Sequence, residues 1–146
     1  MPDPVEVAIE AALLAHLGTF AAAQSPVITI AQPNIAFTPP SPVTATSRYL
    51  RATFLPIPST RIISGPNTHA GLFQVDVFYG AGGGPLAPGR VAAALIGHFS
   101  NRGAGLGLTR DGFTIQINQI PYRDSLVTDS PWVFIPVRIP YQCFAS

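Results

Sequence analysis

Gly71-Leu72-Phe73-Gln74-Val75-Asp76-Val77-Phe78-Tyr79 decides the fold. Phe73, Val75, Val77 and Tyr79 share one parity and Leu72, Gln74, Asp76 and Phe78 the other, a period of two that a strand turns into two separate faces. Upstream, Arg48 to Leu55 alternates as well, with Leu50, Ala52 and Phe54 on one side and Tyr49, Arg51, Thr53 and Leu55 on the other; Pro56 and Pro58 are expected to end it. Ile57 to Ala70 then reads as a long connection carrying Arg61, Asn67 and His69, of a length that commonly serves function. Downstream, a glycine-rich turn leads to Pro88, which opens a helix to about Phe99 with Val91, Leu95 and Phe99 inward and Ala92, Ala93 and Ala94 over much of the rest. Asn101 to Gly107 stops that helix as a loop. Phe113, Ile115 and Ile117 alternate with Thr114, Gln116 and Asn118 as a half-exposed strand. Trp132 to Phe144 closes the chain as a strand whose Pro136 and Pro140 predict an edge or irregular position.

The chain begins with a helix signal. Asp3-Pro4-Val5-Glu6 offers a cap, a proline for the first helical position and a capping-box glutamate. Val5, Ile9, Leu13, Leu17 and Phe20 form an apolar stripe from Pro4 to about Phe20, while Ala8, Ala11, Ala12 and Ala15 fill most of the other positions and suit a partner helix. Ala21 to Ser47 is rich in Pro, Ser, Thr, Gln and Asn and reads as an arm, either functional or ordered only on binding. The order of helix, arm, two strands, helix and two strands predicts one α+β domain over residues 1–146, with an arm at about 21–47. Its expected architecture is a mainly antiparallel sheet of four to five strands with two helices packed on one face.

Composition narrows the function. Charged residues make up 10% of the 146, all 8 bases are Arg, and 7 acids leave a net charge of +1. A monomer of this mass exposes about 7,200 Å², or roughly one charge per 480 Å², where average usage gives about one per 200 Å². Such a surface is expected to be covered by neighbours in an oligomer or larger assembly. Near-neutrality argues against a phosphate-neutralising nucleic-acid binder, and the absence of Lys excludes Schiff-base chemistry and a phosphate-loop lysine. The lone Cys143 excludes an intramolecular disulfide and reads as a buried, inert thiol. Acids at Asp3, Glu6 and Glu10 do not suit a signal peptide, and the apolar run Ala11 to Ala23 is interrupted by His16, Gly18 and Thr19, so a soluble protein made in a cytoplasm is expected.

Catalytic patterns fail at necessary positions. A dinucleotide fingerprint counted from Gly80 meets Pro85 where its last glycine belongs, and a triphosphate loop counted from Gly84 meets Arg90 and Val91. His16 reads as a packed core or interface residue, and His98 as a last-turn residue favouring the helix dipole. His69 is a loop residue without a metal-spaced partner. Asp76, Asp111, Asp124 and Asp129 read as caps and solvated loop residues. No catalytic, cofactor or metal site is expected. A small-ligand enzyme would need a deep polar pocket with converging His and Asp.

The early helix Val5 to Phe20, the Gly71 to Tyr79 strand, the glycine-rich turn with its alanine-rich helix, and Trp132-Val133-Phe134-Ile135-Pro136-Val137 together resemble the tail terminator, or tail completion, proteins of long-tailed bacteriophages. The resemblance implies a virion subunit, assembled in the host cytoplasm, that forms a ring, usually a hexamer. The ring caps the tail tube, ends its polymerisation and presents a surface to the head connector or stopper protein. It implies no catalytic site, no membrane and no sequence-specific nucleic acid, although DNA passes through such a ring. A head-closure or other neck protein fits the same composition. Under this reading Ala11, Ala15, Ala92 and Ala93 supply lateral contacts. Trp132 and Phe134 either join them or pack under a helix. Arg61 and His69 reach the tube or lumen, where an arginine pairing with tube acids would set orientation.

Overall fold

The computed structural model describes residues 4–60, 67–100 and 105–145. Two helices, α1 (Val5–Ala23) and α2 (Leu86–Ser100), accompany eight strands: β1 (Ile30–Ala31), β2 (Arg48–Thr60), β3 (Asn67–Gly80), β4 (Leu106–Arg110), β5 (Phe113–Ile117), β6 (Tyr122–Arg123), β7 (Val127–Asp129) and β8 (Trp132–Ala145). The strands form one curled sheet in the order β1-β2-β3-β8-β5-β4, with β6 and β7 also pairing to β8. The α+β class therefore holds, but the sheet is larger than four to five strands and is mixed, because β1 runs parallel to β2.

The core follows the predicted parities. Val75 faces Ala52 and Val137 across neighbouring strands, Val77 faces Leu50 and Ile135, and Phe73 faces Phe54 and Ile139. Against these pack Leu13 and Leu17 of α1, Leu95 and Phe99 of α2, and Ile115 and Ile117 of β5, all buried. Both helices join this one cluster, so one sheet face carries them. α1 is long and apolar enough to cross a membrane by length and composition. Its Leu13 and Leu17 are fully buried in this core, where truncating either to Ala costs about 3 kcal/mol.

Several boundaries move for physical reasons. α1 starts at Val5 with Pro4 as its flanking residue, and it runs three residues past Phe20; Asp3 lies outside the described residues. α2 starts at Leu86, so Pro88 falls within its first turn, where a missing N–H costs nothing. β2 continues through Pro56. The Leu50 N–H donates outward to Thr29 O at 2.9 Å, so alternate residues direct their nitrogens away from β3, and Pro56 shares that parity. The expected long connection is instead the far end of a hairpin, paired as far as Thr60 and Thr68, and Arg61 lies outside the described residues.

β8 is not an edge strand. It pairs with β3 along its whole length, from Gly80↔Trp132 to Asn67↔Ala145. Its prolines are tolerated because the Pro136 carbonyl accepts from the Asp124 N–H at 2.9 Å, on the side away from β3. The imino nitrogen of Pro136 turns the same way, as does that of Pro140 four residues on. Only the short strands β5, β6 and β7 border that side.

β4 occupies part of what reads as a loop. It is joined to β5 by Asp111-Gly112, both with positive φ (50° and 83°), the signature of a tight two-residue hairpin. Gly80 is required by close approach, since a Cβ there would stand 1.8 Å from the Thr44 carbonyl oxygen.

Candidate functional site

The sheet face without helices divides into three zones. At one end Tyr49 stacks on Phe78 at 4.5 Å and meets Trp132 edge-on at 5.0 Å, while Phe78 stacks on Phe134 at 4.8 Å. Segment 31–47 roofs this cluster with Phe37 and Val43. A polar belt follows. Asp76, 1% exposed, accepts from Arg51 Nη2 at 2.8 Å and Nε at 3.1 Å, and from Gln74 Nε2 at 3.0 Å. The Arg51 guanidinium also lies 4.9 Å from the Phe78 ring centroid. Arg138 continues the belt to Gln74 and to Asp124. Asp76 is therefore a buried, paired carboxylate and not the solvated residue its sequence neighbours suggest.

Beyond the belt the face lies open. Leu55, Leu72 and Pro140 form one cross-strand row, and Ile57, Ala70, Gln142 and Gln116 the next. Leu55, Ile57, Tyr122 and Phe144 are 42–56% exposed there. A groove of about 400 Å³ runs along this end between Ile57, Leu72, Tyr122 and Pro140, rimmed by Gln116 and Gln142, and no Asp, Glu, Arg or His among the described residues lines it. Apolar residues of β2, β3 and β8 are thus exposed side by side, with Gln142 and Gln116 continuing the row onto β5.

The helix layer is held differently. His16 of α1 and His98 of α2 stack at 3.9 Å, 16° from parallel. Each Nε2–H donates to the other's main-chain carbonyl, at 3.0 and 2.9 Å. Phe99 packs edge-on against His16 and Phe20 tilts against His98. Burial lowers the His16 pKa, partly opposed by its hydrogen bond to the His98 carbonyl and reinforced by the neighbouring imidazole. Two rings that share no sequence proximity thus lock the helices together.

The proposed contact residues do not converge on one patch. Ala15 and Ala93 are exposed on the two helices and Ala11 is half-buried, whereas Ala92 is fully buried in the core and has no surface to offer a neighbour. Trp132, at 8% exposure, is covered by the chain's own segment, and Phe134 is half-buried beside it; neither packs under a helix. His69 is half-buried on β3, where it lines a pocket between β2, β3 and the first half of α1. Cys143 is fully buried, and burial pushes its thiol pKa up, as an inert core cysteine requires. Among the described residues no cluster of three or more His, Cys, Asp or Glu is placed to hold a metal ion. The open end was missed in the sequence because its rows exist only once β2, β3, β8 and β5 are in register.

Residues 8–141 match a family model described as phage tail terminator protein. No curated protein matches the chain in sequence. Among solved structures, one is similar over 97% of this chain and 96% of its own, at 26% sequence identity and a TM-score of 0.78.

Proposed function

The chain belongs to the phage tail terminator family, a structural component of the virion tail, and from that premise we propose that its copies close into a ring that caps the tail tube, ends its polymerisation and offers the head-joining surface. The observation that carries the proposal is the open end of the helix-free sheet face, an uncharged groove flanked by exposed Leu55, Ile57 and Phe144 on a chain with one charged residue in ten. A lone subunit keeps that surface in water at a cost, and burying it in an assembly recovers about 25 cal/mol per Å² of apolar area. Net charge of +1 leaves little repulsion between copies.

A ring needs two different patches that meet head to tail and close at a fixed rotation. The sheet groove is one. The alanine-faced exteriors of α1 and α2, through Ala11, Ala15 and Ala93, supply a second, where small side chains allow close backbone approach. Six copies, a tail tube protein on one side and a head connector or stopper on the other complete the proposed joint. DNA passes through without sequence-specific contacts. The contact with the tube or lumen proposed for Arg61 and His69 is carried by the sequence alone for Arg61, which lies outside the described residues, and His69 lines a pocket beside α1 instead.

Omitting the chain during tail assembly tests the proposal. Tubes of uncontrolled length that fail to join heads are expected. Tails of normal length that join heads without it would overturn the reading.

A further inference from the structure

Resting on the ring reading, we propose that the pocket between the first half of α1 and the far ends of β2, β3 and β8 is a socket for an arginine guanidinium of a second copy of this chain. The pocket encloses about 230 Å³. Glu6 and Glu10 stand one helical turn apart on its α1 wall, Phe54 of β2 gives it an aromatic side, and His69 of β3 borders it. Tyr141 of β8 completes the wall. It is 7% exposed, and its ring lies over its cross-strand partner Gly71, where a Cβ would stand 2.6 Å from the hydroxyl oxygen. That hydroxyl takes part in no hydrogen bond among the described residues. The ring is buried while its hydroxyl, like any side-chain polar atom without a hydrogen bond among the described residues, stays open to solvent, so a cation seated beside the two carboxylates can reach it.

A planar cation fits this set of groups. Carboxylates take a guanidinium through paired N–H···O bonds, an aromatic face stacks on its plane, and a phenol oxygen accepts a further N–H. An ammonium offers neither the plane nor the fork.

The chain's own charges identify the source. Asp76 and Asp124 are already paired with Arg51 and Arg138. Glu6 and Glu10 form no ion pair among the described residues, and neither do the exposed Arg90, Arg110 and Arg123. With no lysine in the sequence, a permanently charged side chain contributed by a second copy is an arginine. Unpaired acids in one place and unpaired arginines elsewhere on the same chain make a head-to-tail contact, the geometry that closes a ring.

The test has two arms. In the first, association of the intact chain is followed by sedimentation velocity at low and high salt for the parent, the double variant Glu6→Gln/Glu10→Gln, Tyr141→Phe, and Arg90→Gln, Arg110→Gln and Arg123→Gln. The double variant is expected to associate at least about tenfold more weakly and to lose its salt dependence. One arginine variant should match it, and Glu10→Arg combined with that arginine changed to Glu should restore assembly. A double variant that assembles as tightly as the parent overturns the socket and leaves the ring reading standing. A parent that stays monomeric at every concentration contradicts the ring reading and passes the socket to the second arm.

In that arm, N-acetyl-arginine amide is titrated against the chain while the Tyr141 ring resonances are followed. Saturable shifts that vanish in the double variant, and that the lysine and citrulline analogues do not produce, support the socket. Their absence with N-acetyl-arginine amide overturns it, whatever the state of assembly.

Discussion

At one end of the helix-free sheet face Tyr49, Phe78, Trp132 and Phe134 are roofed by Phe37 and Val43 of the same chain, whereas at the other end Leu55, Ile57, Tyr122 and Phe144 stand in solvent. Both ends are apolar, both lie on the same long strands, and the Arg51–Asp76 belt separates them. The covered end is finished within one chain, so its contribution is to folding. The open end is left uncovered, and under the proposed ring its contribution is to assembly. Two ends of similar chemistry should therefore respond to substitution in opposite ways.

The largest effect is expected at the covered end. Trp132→Ala removes a ring packed against Tyr49 and Phe78 and should lower the unfolding free energy by about 3 kcal/mol, read as a shift in urea midpoint at constant slope. A loss below about 1 kcal/mol would mean that the segment roofing it is not seated in solution.

The belt comes next. Arg51→Ala strands the buried Asp76 carboxylate with Gln74 as its remaining side-chain donor and should cost about 2 kcal/mol, a figure moderated by the half-exposed arginine. The apolar pair Arg51→Met with Asp76→Leu should recover most of that loss. If the double variant is worse than Arg51→Ala alone, the belt is holding more than one ion pair.

Acid provides a control that belongs to neither end. The His16 pKa in the folded chain lies below its ordinary value of 6.5, mainly because of burial, so the unfolded chain takes up the proton first. The stability that His16 contributes is therefore complete above about 6.5 and is lost as the pH falls below it, until the folded form also protonates. Thermal melts from about pH 7 to about pH 5 should show Tm falling, and His16→Phe should flatten this slope. An unchanged slope in that variant would place the acid sensitivity outside the stacked pair.

The smallest change in stability is expected at the open end. Ile57→Ser and Tyr122→Ser should each stay within about 0.5 kcal/mol of the parent in monomer unfolding, since both residues are about half exposed already. The same substitutions should weaken association by about tenfold. A variant that destabilises the monomer and leaves association intact would erase the contrast between the two ends.

Local signals in the sequence revealed the elements and one face of the sheet. The stripe Ile9, Leu13, Leu17 and Phe20 fixes α1, and the alternation through Phe73, Val75 and Val77 fixes β3 and the buried side. Asp111-Gly112 between Leu106–Arg110 and Phe113–Ile117 was a readable hairpin signal, masked by the glycines around it that favoured a loop. Partnerships over long sequence distances were not legible. Arg51 and Asp76 are 25 residues apart, and His16 and His98 are 82 apart. The central position of β8 was hidden because a proline rule says only that one side lacks a donor, and which side is settled by the neighbouring strands. For the same reason the open groove could not be assembled from residues drawn from five segments of the chain.

The central claim is that this chain leaves an uncharged part of its surface for copies of itself, and native mass measurement across a concentration series, paired with electron-microscope class averages, tests it most directly. The account predicts one closed species with rotational symmetry that Ile57→Ser and Tyr122→Ser both weaken. A monomer at every concentration, or filaments that never close, would contradict it.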